Sequence, residues 1–385
     1  MSPLPVIWLA GGPAARARAL QVAQALEPGC QPLFIGPPGE PQADLSAPAD
    51  GLALVLAACP LELRPAALLW LEPGPAPAEA GGLPCPTLAW GAAVAGCDQT
   101  APADPAQAAE ALKQAASAGR AWPWLSHVQV NLPLTMLLGR YRPLVEVLAV
   151  NPEVGIDAQA LDHLGEPEVD QAAGVLTGRR VSVHLPFMDL CPGSPDPAIA
   201  RTSLERLNRA ADWAMRLGAV KAVAHLGYLA DTHRDLKAFC SRLAEGLAPL
   251  AARLQQGGCP LVLENTFEPA PQVLLSARQA ISEAGGPEVA FCLDVGHAHC
   301  FSPTPLAAWW EGLAPHIGEM HLHDNDATFD YHQPVGSGVV DWAFIKRCVV
   351  ALPQPPLLTL EPHAEPDLWA SLRGLERVWG QPPLG

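Results

Sequence analysis

From about residue 128 to its end, the chain alternates eight times between a short apolar run of strand character and a longer helix-like stretch. The runs are 128–132, 153–157, 181–186, 219–226, 261–265, 290–296, 318–323 and 357–362, and amphipathic stretches such as 201–217, 236–255 and 342–350 lie between them. Strands this apolar are covered on both faces, and parallel neighbours need crossovers of helical length. Eight β/α units in about 260 residues match a (β/α)8 TIM barrel, whose usual length is about 250. A long doubly wound sheet is the alternative. It places ligands at one crevice, whereas the ligand-type residues here are spread over successive strand ends.

Residues 1–120 have a different texture. Short apolar strands at 6–9, 33–35, 52–56, 68–71 and 87–90 are broken by Pro and Gly, with helical patterns at 14–26 and 105–118. This predicts a small open α/β domain, Rossmann-like, ahead of a barrel spanning 121–385. Gly11-Gly12 follows the first strand, but the G-x-G-x-x-G spacing and an acidic ribose partner are absent, so a plain tight turn is the expectation. The role of this domain is not legible in its residues.

Composition narrows the function. With 39 acidic against 23 basic residues the net charge is −16, and no Lys/Arg cluster offsets it. Such a chain repels duplex DNA and anionic membranes. No apolar stretch approaches the ~18 residues of a membrane span, and the apolar start has no positive residue before it, so it reads as a strand and not a signal peptide. Ten scattered Cys without C-x-x-C, several in apolar runs (Cys59, Cys292, Cys348), suggest reduced core thiols and a cytoplasmic protein.

In a barrel of this kind, chemistry sits at the C-terminal strand ends. Those ends carry Val-His184-Leu-Pro, Ala-His225-Leu-Gly, Leu-Glu264-Asn265, Cys-Leu-Asp294-Val-Gly-His297, Met-His321-Leu-His323-Asp324, then Asp330-Tyr-His332, and Leu-Glu361-Pro. One His alone reads as hydrogen-bonded structure, and Asp294-x-x-His297 alone reads as a helix cap. Six successive strands of carboxylates and imidazoles read as a site for cations, which would otherwise leave like charges facing one another. A mixed imidazole and carboxylate set suits Zn²⁺, with Mn²⁺ or Fe²⁺ next, over Mg²⁺ or Ca²⁺.

Over residues 125–385 these motifs, in this order, resemble the xylose-isomerase-like barrel superfamily, which includes endonuclease IV and many sugar isomerases and epimerases. The resemblance to endonuclease IV implies up to three zinc ions on nine ligands. His184, His225 and a bridging Glu264 would hold one; Glu264, Asp294, His321 and Glu361 a second; His297, Asp330 and His332 a third. The extra N-terminal domain and the acidic charge depart from that nuclease, so abasic-site cleavage is not expected.

Two chemistries fit. The first is hydrolysis of a phosphoester or phosphodiester in a small, non-DNA, phosphorylated substrate, including nucleotide-loop or cobamide-type compounds that some similar members cleave. Three divalent ions outweigh the four carboxylates and attract phosphate, and an acidified water supplies the nucleophile. The alternative is a sugar or sugar-phosphate isomerase or epimerase with one Mn-type ion on Glu264, Asp294, His321 and Glu361. The two glutamates would then serve as catalytic base and acid, with His225 and His297 on substrate hydroxyls. A non-catalytic metal-binding protein is a third reading, disfavoured because structural sites close on about four ligands. Gly336-Ser-Gly338 has two readings: backbone N–H groups facing a phosphate, or a turn into the last helices. Trp122, Trp124, Trp309 and Trp310 line an aromatic substrate pocket or serve as packing.

Overall fold

The computed structural model describes residues 6–382 except 12, 27–29, 37–42, 44, 47–64, 73–82, 95–96, 119–121 and 147. Two compact units emerge, Met1–Trp122 with His363–Arg373, and Pro123–Pro362 with Gly374–Gly385.

The first unit holds a parallel sheet of six strands among the described residues: β1 (Val6–Ala10), β2 (Gln31–Gly36), β3 (Leu45–Ser46), β4 (Pro65–Trp70), β5 (Thr87–Trp90) and β6 (Gln99–Ala101), in the order β3-β2-β1-β4-β5-β6. β1 is buried throughout because it pairs on both sides, Trp8 with Leu33 and with Leu68. Helices Arg16–Leu26 and Pro105–Ala118 bring Ala19, Val22, Leu26, Ala108 and Leu112 onto Ile7, Leu9 and Leu69. The strand order is that of doubly wound dinucleotide-binding folds. β3 and β6 escape sequence reading because two or three residues at sheet edges need no apolar run. The expected strand 52–56, Gly12 and Cys59 lie outside the described residues.

The second unit is a closed barrel. Its strands are β7 (Gln129–Pro133), β8 (Asn151–Gly155), β9 (Ser182–His184), β10 (Ala222–His225), β11 (Leu261–Glu264), β12 (Ala290–Asp294), β13 (Ile317–Leu322) and β14 (Leu357–Leu360). Each is parallel to the next, and β14 returns to β7 through Thr359 opposite Gln129. All eight expected runs become barrel strands. Several end early because the ligand-type residue closes the strand: Asp294 accepts the His297 N–H at 2.6 Å and caps helix Val295–Cys300.

The amphipathic crossovers are helices, such as Pro197–Arg216, which starts on an Asp196 cap with Pro at its first turn and buries Leu207, Ala210, Ala211 and Trp213. Inside the barrel, Val223, Val262 and Cys292 form an apolar patch. Elsewhere the interior is polar. Ser182 Oγ contacts Gln129 Oε1 (3.1 Å) and Glu319 Oε1 (3.2 Å), and Thr359 Oγ1 donates to Glu319 Oε1 (2.9 Å). These side chains are fully buried and form a floor beneath the strand ends.

Among the described residues no helix is long and apolar enough to cross a membrane. The nine described cysteines are free, with Cys292 and Cys348 buried.

Candidate metal centre

Above that floor, strand alternation aims one side chain from each of several strands at a common point. β9 supplies His184, β10 His225, β11 Glu264, β12 Asp294 and β13 His321 as last or near-last residues, and the segments that follow add His297, His323, Asp330, His332 and Glu361.

Glu264 is the hub. Its Oε2 lies 2.9 Å from His184 Nε2 and 3.0 Å from His225 Nε2, while its Oε1 lies 3.4 Å from His321 Nδ1. The two oxygens of one carboxylate therefore face different histidines. His321 Nδ1 also lies 3.2 Å from Glu361 Oε1 and 3.8 Å from Asp294 Oδ2. A second group converges on Asp330 Oδ2, with His297 Nε2 at 3.1 Å and His332 Nε2 at 3.0 Å. His323 joins it, its Nδ1 3.5 Å from Asp330 Oδ1 and its ring stacked on His332 at 3.9 Å. His297, His323, Asp330 and His332 form one four-member cluster of ligand atoms; His184, Glu264 and His321 form another.

Hydrogen bonding tests whether cations fit. A carbonyl oxygen only accepts, so a ring nitrogen facing one must carry the proton. Nδ1–H of His184 donates to Leu185 O (2.9 Å), that of His297 to Asn265 O (3.0 Å) and that of His332 to Glu361 O (3.0 Å). In a neutral ring each Nε2 then presents a lone pair to an acceptor-only carboxylate. His321 does the same by another route: Nε2–H donates to Glu153 Oε2 at 3.2 Å, and Nδ1, which has no hydrogen-bond partner, faces Glu264 and Glu361. His323 Nδ1 and Asp330 Oδ1 are likewise buried without a partner. Only extra protons or shared cations reconcile these contacts. Burial opposes charging His184 and His332, yet the carboxylates at Glu264 and Asp330 still lift each to about 9. Asp294 is depressed to about 2: burial works against its charge, and His297 and His323 outweigh it. Oriented imidazoles and ionised carboxylates are what a divalent ion requires, so the residues fit the implied metals.

All nine sequence-predicted ligands, His184, His225, Glu264, Asp294, His297, His321, Asp330, His332 and Glu361, stand in this one constellation. Asp294 Oδ1 caps the helix, as its spacing to His297 suggests, while Oδ2 faces His323 Nε2 at 3.0 Å. His332 adopts a left-handed φ of 48°, a conformation uncommon for a residue with a Cβ and concentrated at functional sites. Two contributors were missed. His323 was visible in the strand-seven motif, two residues beyond His321 and on the same face. Glu153 left no such signal, since it stands in the middle of β8 and reaches His321 only across the closed barrel.

Two glycines placed on the substrate do something else. The N–H of Gly336 donates to Asp324 Oδ2 (2.9 Å), and a Cβ on Gly338 would lie 2.2 Å from Asn325 O. Both shape the loop after β13, where Asp324 also accepts from Val340 N (3.1 Å) and Trp342 Nε1 (2.7 Å). The phosphate-facing reading of these N–H groups is therefore corrected for Gly336, whose donor is spent. Of the two readings of the tryptophans, packing holds for three of the four. Trp309 is fully buried and bonded to Ser302, Trp124 is buried against Trp379, and Trp122 packs on Trp369.

The chain has relatives of known family. The model of the xylose isomerase-like TIM barrel family matches residues 152–378. The chain belongs to this family. Among its relatives, the uncharacterised protein MJ1311 of Methanocaldococcus jannaschii is 22% identical over 173 residues, 42% of this chain and 57% of its own length, so the match spans little more than half of that protein. The structure of the TTHB071 protein from Thermus thermophilus, soaked with ZnCl2, is 31% identical with a TM-score of 0.57, covering 67% of this chain and all of that one. A D-tagatose 3-epimerase-like protein shares the fold at 19% identity and a TM-score of 0.55, over 65% of this chain and 97% of its own. Within the xylose isomerase-like barrels, then, this chain combines a ligand-rich mouth with an additional N-terminal sheet.

Proposed function

We propose that the barrel is a divalent-metal enzyme, with zinc as the principal ion, that hydrolyses a phosphoester or phosphodiester of a small molecule. The observation that carries this reading is that ligand-type atoms gather around two points: Glu264, Asp294 and Glu361 lie 3.4, 3.8 and 3.2 Å from His321 Nδ1, while His297, His323, Asp330 and His332 form a four-member cluster. One ion accepts about four to six ligands and cannot satisfy both. Bound there, divalent ions supply positive charge for a phosphate and make water a nucleophile at a pH near 7.

The residues of the chain do the rest. Glu264 would join the ligand-type histidines, facing His184 and His225 with one oxygen and His321 with the other. Backbone carbonyls hold His184, His297 and His332 in one tautomer, so each aims Nε2 inward. Glu361 and Asp330, with side chains 11% and 15% exposed, are the ligand-type carboxylates nearest solvent, and Glu361 would take a proton from the attacking water and return it to the departing oxygen.

A second reading, a one-metal sugar isomerase or epimerase, has its own support. The epimerase-like neighbour points to it, and Glu264 and Glu361 both face His321, as a base and acid flanking a sugar carbon require. The solved neighbours lean this way; the number of ligand-type side chains, more than one ion takes, leans toward hydrolysis.

Elemental analysis of protein purified without chelator, together with His332→Ala, separates them. The hydrolase contains two to three ions per chain, loses one in the variant, and loses most of its turnover of a phosphodiester such as bis-p-nitrophenyl phosphate. One ion per chain and an almost unaffected variant acting on ketoses would establish the isomerase instead.

A further inference from the structure

The chain has only eight Phe and three Tyr, and six of these eleven sit in segments after barrel strands; all but Tyr228, which is buried against His233 and Phe239, stand by the ligand-type residues. Phe187 follows β9, Phe267 follows β11, Phe301 ends the segment after β12, and Phe329 and Tyr331 follow β13. Four are substantially exposed: Phe187 by 42%, Phe267 by 53%, Phe329 by 57% and Tyr331 by 51%. Large apolar side chains on a monomer surface are usually scattered; a ring of them around one opening marks a binding surface.

These rings also connect downward. The Phe187 ring lies 4.5 Å from that of His225 and 5.1 Å from that of His184. Phe267 packs on Phe301 at 4.6 Å, and Phe301 stacks over His297 at 5.8 Å. Phe329 and Tyr331, 5.3 Å apart, flank Asp330 in the chain. Every group of rings therefore touches or adjoins a ligand-type side chain. A flat molecule lying on the rings reaches the ligand sets with whatever is attached to it.

Resting on the phosphoesterase reading, we infer that the substrate carries its phosphate on a planar aromatic or heteroaromatic body, and that Phe187, Phe267, Phe301, Phe329 and Tyr331 are the platform for that body. A second copy of the chain is the competing occupant. It is disfavoured by the floor below the site: with Gln129, Ser182, Glu319 and Thr359 closing the far end of the barrel, a copy seated on the rings would cover the approach to Glu264.

The test is equilibrium binding of non-hydrolysable probes to the metal-loaded full chain by calorimetry. 1-Naphthylphosphonate is compared with methylphosphonate on wild type, on F267A/F329A and on F267W/F329W. Stacking on a protein ring is strong enough to give a preference of about tenfold or more for the naphthyl probe. The alanine pair should lose that preference and the tryptophan pair keep it, with unchanged metal content and melting temperature showing that both are folded.

Equal affinity of the two phosphonates in wild type overturns the platform and leaves the phosphoesterase reading standing. Failure of both to bind at millimolar concentration overturns that reading, and the platform with it. A change in sedimentation of F267A/F329A with an unaltered preference assigns the rings to a second copy and overturns the inference.

Discussion

At the scale of single residues, the least conspicuous contributor is Glu153. It is fully buried, accepts from Asn131 Nδ2 at 2.8 Å, and takes the Nε2 proton of His321 at 3.2 Å, which leaves Nδ1 aimed at Glu264 and Glu361. Partners of this kind set ring orientation and basicity, and their loss weakens metal affinity by about 10–100-fold. Glu153→Ala should therefore weaken zinc binding by that factor, read by competition with a chelating dye. Glu153→Gln, which can still accept the proton, should lose less. Six of the nine ligands, His184, His225, Glu264, Asp294, His321 and Glu361, were legible because each closes or directly follows an apolar run, and His297, Asp330 and His332 because they follow such ends in short motifs. Glu153 was not, because a carboxylate in mid-strand acquires meaning only when the barrel closes and β8 comes within reach of β13.

At the scale of elements, the loop after β13 depends on close approach. A Cβ on Gly338 would fall 2.2 Å from Asn325 O and 2.4 Å from Asp324 Oδ1, and Asp324 is the side chain that gathers the N–H groups of Gly336 and Val340 and the indole of Trp342. Gly338→Ala should therefore cost about 1–3 kcal/mol and lower the melting temperature. Gly139→Ala, whose Cβ would meet nothing nearer than 4.0 Å, should change stability by less than about 0.5 kcal/mol. All eight barrel strands were readable from apolar runs because the barrel buries both faces of each strand. The two-residue β3 and three-residue β6 left no such trace. The glycine pair in this loop was ambiguous in sequence because a turn and a phosphate cradle demand the same residue. Only the partner of the Gly336 N–H distinguishes them.

At the scale of the whole molecule, buried acids set the response to pH. Glu268 is fully buried, accepts from Thr266 N at 2.5 Å, and has a second oxygen without a hydrogen-bond partner among the described residues. Burial pushes its carboxyl up to about 7. Between the ordinary carboxylate range and about pH 7 the folded chain thus keeps a proton that the unfolded chain has released. This contribution to stability is complete at low pH and is lost as pH rises through 7. The expected difference is roughly 3 kcal/mol. Urea unfolding at pH 5 and pH 8 should show wild type losing about that much more stability than Glu268→Gln. Parallel pH dependences would contradict the assignment.

The rings of His184, His297 and His332 are each aimed by a main-chain carbonyl. Every residue type carries that carbonyl, so substitutions at Leu185 or Asn265 leave the aiming group in place as long as the backbone path holds. Descendants of one ancestral barrel could therefore exchange the residues around the centre and still inherit its ligand geometry. Their substrates would diverge first in the loops, where side chains alone make the contacts.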